Sequence, residues 1–298
     1  MTDLSHVFTA DDRDRVSRLQ WYAQNVVDGL AVGLHRSPQK GSSIEFKEHR
    51  AYVRGDETRL IDWKLFGKTD RLYIREFEDE TNLRATLVVD QSGSMSFQGQ
   101  ESECSKQQYA LGLAACLSHL FIGQQDAVGL ATFDTQLRDY LPPGSSPAHL
   151  HQLQQTLANA TCRGETSLGN VLQQLAPSLR RRGVVALLSD CFDDLPTLIR
   201  ALSLLRQMGN EVVIFQIWDP DELNFPFRRR TQFKSLENSQ QTQRLDPATI
   251  RKSYLNNLKN YQKDFQQQCA RYRIALVTCD TSVPHSRLLT NFVGGGRG

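Results

Sequence analysis

Two short apolar runs in this chain end in aspartate, and a hydroxyl-bearing loop lies between them in sequence; no other feature restricts the fold so much. Ala85–Asp90 (ATLVVD) and Gly183–Asp190 (GVVALLSD) have the length and character of buried strands. The stretches between such runs are longer and repeat at helical spacing: within Ser105–Ile122, Tyr109, Leu113, Cys116, Leu117, Leu120 and Phe121 recur every three or four residues. Further strands are expected at Ala127–Asp134, Leu137–Leu141 (an edge strand ended by Pro142-Pro143), Glu211–Trp218 and Arg273–Asp280. Helices are expected from Pro147 to about Asn159, over Leu168–Arg182 with a kink at Pro177, over Leu195–Met208, from Pro247 to about Tyr272, and over Arg287–Phe292. Strands alternating with helices predict an α/β fold with a doubly wound, mostly parallel sheet of Rossmann type, preceded by an N-terminal helix and β extension. Such sheets bind ligands beyond the carboxyl ends of their strands.

Those ends carry oxygen. Asp90-Gln91-Ser92-Gly93-Ser94 leaves the first run as D-x-S-x-S, and Gly93 permits the tight loop that would turn both hydroxyls to one point. Thr166, in Gly164-Glu165-Thr166-Ser167-Leu168, precedes a helix, and Asp190 closes the later strand. Asp90 and Thr166 taken singly suit helix caps. Taken together, Asp90, Ser92, Ser94, Thr166 and Asp190 form an all-oxygen set of three hydroxyls and two carboxylates. That set suits a hard cation, Mg²⁺ or Mn²⁺ rather than a Ca²⁺ cage.

Other features exclude. Net charge is +2 from 35 basic and 33 acidic residues, which gives no electrostatic argument for nucleic acid or a membrane surface. The six cysteines include no C-x-x-C pair, so reduced thiols are expected rather than a zinc site or disulfide framework. No signal peptide or membrane-length apolar run is expected, and a cytoplasmic location follows. Gly67-Lys68-Thr69 fails as a P-loop because Asp62 stands where glycine is needed. His149 and His151 lie two apart on a helix and point away from each other. Ser92 replaces the second aspartate of a D-x-D nucleophile, and no G-x-S-x-G elbow is present. Arg228–Arg230 reads as a solvated loop that could also meet an acidic partner.

Asp90-x-Ser92-x-Ser94, Thr166 and Asp190 resemble, in the same chain order, the metal-ion-dependent adhesion site of von Willebrand factor A domains. Three stretches, Gly41–Tyr52, Gly55–Trp63 and Leu72–Glu78, with Asp246-Pro247-x-x-Ile250-Arg251-x-x-Tyr254 further on, resemble the bacterial family called domain of unknown function 58. The resemblance implies a non-enzymatic adaptor whose bound cation accepts an acidic side chain from a protein partner. That partner would be a MoxR-type AAA+ ATPase, and the role chaperone-like complex assembly or metal insertion. Many members of that family carry N-terminal transmembrane helices; none is expected here. The alternative is a metal-dependent hydrolase of phosphoesters with Asp193 or Asp194 as base. The expected organisation places residues 1–83, with a helix at about Asp11–Val32 and a charged β segment Ser43–Glu80, against a main domain at 84–292. An insertion is expected at 220–245 and a flexible tail at 293–298.

Overall fold

Alternating charged and apolar residues suit strands with one wet face, and the chain opens with such a pair in a unit of its own, residues 36–83. There β1 (Ile44–Ala51) pairs antiparallel with β2 (Tyr73–Asp79), and the register shifts between Phe46 and Glu48. Between them lies a short helix that the apolar pattern does not announce, α1 (Trp63–Thr69). It buries no residue, so no hydrophobic period marks it; two aspartates set its ends. Asp62 Oδ1 accepts from the Lys64 and Leu65 N–H groups at 3.0 and 3.1 Å, and Asp70 closes it in the left-handed conformation. Gly67-Lys68-Thr69 thus sits at a helix C-terminus, the wrong end to cradle phosphate.

This computed structural model describes residues 18–20, 22–23, 27, 44–53, 61–79, 83–162, 164–179, 182–227, 231–234, 236, 242–245 and 247–293, with backbone alone at 44–50, 75–79, 231–234, 242–245 and 293. Most of the expected helix Asp11–Val32, the Arg228–Arg230 run, Asp246 and the tail from residue 294 lie outside the described residues.

From residue 84 the second unit is organised by one strand. In β3 (Arg84–Asp90) every residue after Arg84 is buried. Leu87 and Val89 enter one apolar core and Val88 another, so the strand is covered on both faces, as a central parallel strand is. The elements that follow are α2 (Lys106–Gly123), β4 (Ala127–Phe133), β5 (Leu137–Gly144), α3 (Pro147–Ala158), α4 (Leu168–Leu175), β6 (Val184–Ser189), α5 (Leu195–Gln207) and β7 (Glu211–Trp218). Then come α6 (Pro220–Asn224), β8 (Thr231–Lys234), β9 (Thr242–Leu245), α7 (Pro247–Arg271), β10 (Ala275–Asp280) and α8 (His285–Val293). The main sheet runs β10-β7-β6-β3-β4-β5, parallel except for β5, while β8 and β9 form a separate antiparallel pair. Residues of α2, α3 and α8 pack in one core, and residues of α4, α5 and α7 in the other. The fold is therefore the doubly wound α/β sheet that the alternating pattern predicts.

Two expected boundaries move. β5 does not stop at Pro142-Pro143 but runs through them to Gly144, because an edge strand can leave one side unpaired and tolerates proline. The helix expected over Leu168–Arg182 ends at Leu175 and gives way to a 3₁₀ turn over Ala176–Ser178, since Pro177 has no N–H to continue the α-helix. Among the described residues no helix is long and apolar enough to cross a membrane.

His285, at the start of α8, joins this helix to α2 and to Tyr22. Its Nε2 lies 3.0 Å from the Tyr109 carbonyl, which can only accept, so Nε2 carries the proton and Nδ1 accepts from the Tyr22 hydroxyl at 2.5 Å. Burial lowers its pKa from 6.5 to about 4, although the Tyr109 bond favours the charged ring. Its contribution to stability is therefore complete above the unfolded pKa of about 6.5 and is lost as the pH falls toward 4. His285→Gln does not titrate. The wild-type advantage over it in urea unfolding should shrink by about 2–3 kcal/mol between pH 7 and pH 4.5. A difference that stays constant with pH would show that the histidine is not buried in its neutral form.

Candidate metal centre

β3 and β6 lie side by side in parallel with Val89 opposite Leu188, so their carboxyl ends emerge together. Strand order reverses at this point, with β4 on one side of β3 and β6 on the other. Asp90 ends β3, 1% exposed, and Asp190 follows β6, fully buried. Asp90 Oδ1 accepts from the Ser92 N–H at 2.8 Å and Oδ2 from the Ser189 hydroxyl at 2.5 Å. Asp190 Oδ1 accepts from the Phe192 N–H at 3.1 Å and Oδ2 from the Lys106 ammonium at 2.8 Å. Burial, then the neighbouring charge of Asp190, pushes the Asp90 carboxyl up to about 7. Two buried carboxylates held this close favour any arriving cation.

The loop after β3 is fixed at several points. Gly93–Ser96 forms a 3₁₀ turn whose Met95 is buried in the core. The Ser92 and Ser94 hydroxyl oxygens stand 3.1 Å apart. The Gly93 N–H donates to the Gly164 carbonyl at 2.8 Å, tying this loop to the segment that carries Thr166. Thr166 itself is half-buried, yet its Oγ1 is shut from solvent and has no hydrogen-bond partner among the described residues. An orphaned buried hydroxyl is costly and calls for a ligand or a bound water. A donor set of hydroxyls with two carboxylates fits a hard cation, and the Thr166 oxygen supplies an open valence for one. No group of three or more His, Cys, Asp or Glu side chains able to hold a metal occurs among the described residues, so a cation here depends on hydroxyl donors.

Cys191 follows Asp190 with φ +60°, a left-handed conformation that costs a non-glycine residue about 1 kcal/mol or more. Its N–H donates to Ser189 Oγ at 2.9 Å, and its carbonyl accepts from the Tyr261 hydroxyl of α7. These bonds hold the chain where it turns away from the sheet just past Asp190.

Lys106 was missing from the residues singled out by sequence. It is fully buried at the first position of α2, and its ammonium also donates to Glu222 Oε1 at 2.7 Å. Burial alone would lower its pKa, but Asp190 and Glu222 outweigh this and hold it well above the usual lysine range. A cation in the first turn of a helix opposes the macrodipole, and that local misfit was the available signal. His149 and His151 have separate partners, as their spacing implies: His149 bonds the Val128 carbonyl, and His151 bonds Gln20 and Gln155. Asp193 Oδ2 accepts from the Gly169 N–H at 2.8 Å, while Asp194 caps α5. The Thr197 hydroxyl and N–H hold the Asp194 pKa below the ordinary aspartate value.

A profile of the family described as "Protein of unknown function DUF58" matches residues 48–264. Uncharacterised proteins of Mycobacterium bovis and Mycobacterium tuberculosis are 26% identical over 215 residues, which cover 70% of this chain and 65% of theirs. The match therefore spans just under two thirds of the length of those relatives. Among solved structures, the chain is similar to the conserved hypothetical protein BatB from Bacteroides thetaiotaomicron, at 14% identity and a TM-score of 0.48, covering 72% of this chain and 98% of that one. It is also similar to the SpRpn10 VWA domain, at 14% identity and a TM-score of 0.40, covering 70% and 94%.

Gly93 offers a direct test of this geometry. A Cβ there would stand 2.2 Å from the Leu236 carbonyl oxygen and 2.8 Å from that of Gly164, both backbone atoms with little freedom to move. Gly93→Ala should destabilise the protein by about 1–3 kcal/mol. Gly123→Ala, at the end of α2 with nothing within 4 Å, should be neutral or slightly stabilising. Urea unfolding of the two variants compares them, and equal effects would mean that the close approach at Gly93 does not exist.

Proposed function

The chain belongs to the DUF58 family, and from this membership, the two buried aspartates and a Thr166 hydroxyl without a partner among the described residues we propose a cation-dependent protein-interaction adaptor. Asp90, Ser92, Ser94, Thr166 and Asp190 would hold Mg²⁺ or Mn²⁺. When bound, the cation supplies an electrophilic position for an acidic side chain of a partner. The chain's part is to hold few anionic groups in a fixed, mostly dry loop set, so that a carboxylate entering there is not repelled. The partner on this reading is a MoxR-type AAA+ ATPase, and the role is assembly of a complex or insertion of a metal.

The orphaned oxygen of Thr166 is the observation that carries this reading, because no group among the described residues uses it. The alternative of phosphoester hydrolysis needs a free base. Asp193 already accepts bonds from the N–H groups of Gly169 and Asp194, and Asp194 is committed to the cap of α5. Neither is poised to take a proton.

In titration calorimetry with Mn²⁺ and Mg²⁺, wild type should show one site and Asp90→Ala none. Thr166→Val should bind about tenfold more weakly yet be as stable as wild type without metal, since it removes a hydroxyl that bonds nothing among the described residues. Identical binding by wild type and Thr166→Val would remove the assignment. For the partner, affinity for a cognate MoxR-type ATPase should fall by about 2–4 kcal/mol in EDTA or with Asp190→Ala. The two together should add little, since both delete one coupled contact. Affinity unchanged in every combination would place the interface elsewhere.

A further inference from the structure

We propose that Lys106 is a built-in counter-ion whose charge sets both how tightly the candidate centre holds a cation and how readily that cation accepts a carboxylate; the inference rests on the cation reading above. Lys106 lies at the meeting of three elements. Its stem leaves the first turn of α2, and its ammonium bridges Asp190 after β6 and Glu222 in α6 at 2.8 and 2.7 Å. It also lies 5.6 Å from the centre of the Phe192 ring. Nothing in α2 calls for a cation there. The N-cap is Ser105 and the box partner is Gln108, and both side-chain bonds form without Lys106. The charge is therefore explained by what it faces rather than by the helix that carries it.

The effect follows from charge. When a bound cation draws off the proton that burial favours on Asp90, Asp90, Asp190 and Glu222 carry three negative charges, and Lys106 offsets one. With Lys106 present, a divalent cation brings this group to neutrality, and an incoming carboxylate meets no residual repulsion. Without Lys106 the cation would face one more negative charge at close range and bind more tightly, but the loaded centre would stay net negative and repel the carboxylate. Removal of Lys106 thus moves two affinities in opposite directions. A merely structural lysine would not do this, since its loss would disorder Asp190 and weaken both.

The probes are Mn²⁺ alone, followed by calorimetry and by the relaxation of bound water protons, and acetate as the simplest carboxylate to displace that water. Lys106→Met should bind Mn²⁺ at least tenfold more tightly than wild type and need several-fold more acetate. Should that variant fail to fold, Lys106→Met with Glu222→Gln leaves no stranded carboxylate beside the lost lysine. The double variant restores the wild-type count of two net negative charges, so its Mn²⁺ affinity should return to within a few-fold of wild type. Affinity for Mn²⁺ that is unchanged or weaker in Lys106→Met, or tenfold or more weaker in the double variant, overturns the role of Lys106. Acetate acting more readily in Lys106→Met overturns it as well. Wild type that binds no Mn²⁺ overturns the cation reading itself, a result read without any variant.

Discussion

Two carboxylates leave adjacent strands into an interior that water hardly reaches, and the surrounding structure is arranged to make that bearable. Unpaired charges so deeply buried would cost several kcal/mol each. Asp90 is met by the Ser92 N–H and the Ser189 hydroxyl, and Asp190 by the Phe192 N–H and the Lys106 ammonium. Even so, burial and then the neighbouring charge of Asp190 hold the Asp90 carboxyl above the ordinary aspartate range. A fold that only needed stability would place apolar side chains at such strand ends. Two acids at these strand ends, with a Thr166 hydroxyl that has no partner among the described residues, are what support the proposed cation site.

Much of this could be read before any coordinates, and the reason is locality. Asp90, Ser92 and Ser94 share one short loop, so their spacing alone brings them together, and Asp190 announces itself as the end of an apolar run. The doubly wound sheet was legible for the same reason, since both of its periodicities are local. What escaped is long-range. Lys106 meets Asp190 and Glu222 across 84 and 116 residues of chain, and helical periodicity treats it as one more polar position in an apolar helix. α1 escaped because side-chain caps, not buried residues, define it. The helix after Ser167 was drawn too long because a kink and a switch to 3₁₀ geometry look alike in sequence when the cause is a single proline.

The segment 220–245, which breaks the alternation of strands and helices, touches the candidate centre at two places among its described residues. At its root, α6 has only five residues, too few to be stable as an isolated helix. It is fixed by side-chain bonds instead. Asp219 accepts from the Gly99 N–H and the Ser102 hydroxyl, Asp221 accepts from the Gln100 N–H, and Glu222 Oε2 accepts from the Asp219 N–H. Further along, between β8 and β9, the Leu236 carbonyl lies against Gly93 in the loop of Ser92 and Ser94.

This double attachment links the chemistry of the centre to the shape around it. Glu222 uses one oxygen to complete the cap of α6 and the other to bind Lys106, while Lys106 binds Asp190. Asp190, Lys106, Glu222 and the cap of α6 therefore form one continuous chain of charged and hydrogen-bonded groups. At the other end, any movement of the Ser92–Ser94 loop presses directly on Leu236, because Gly93 leaves no room between them. The sheet fixes where the carboxylates stand, but the insertion is placed by contacts with the groups that answer their charge.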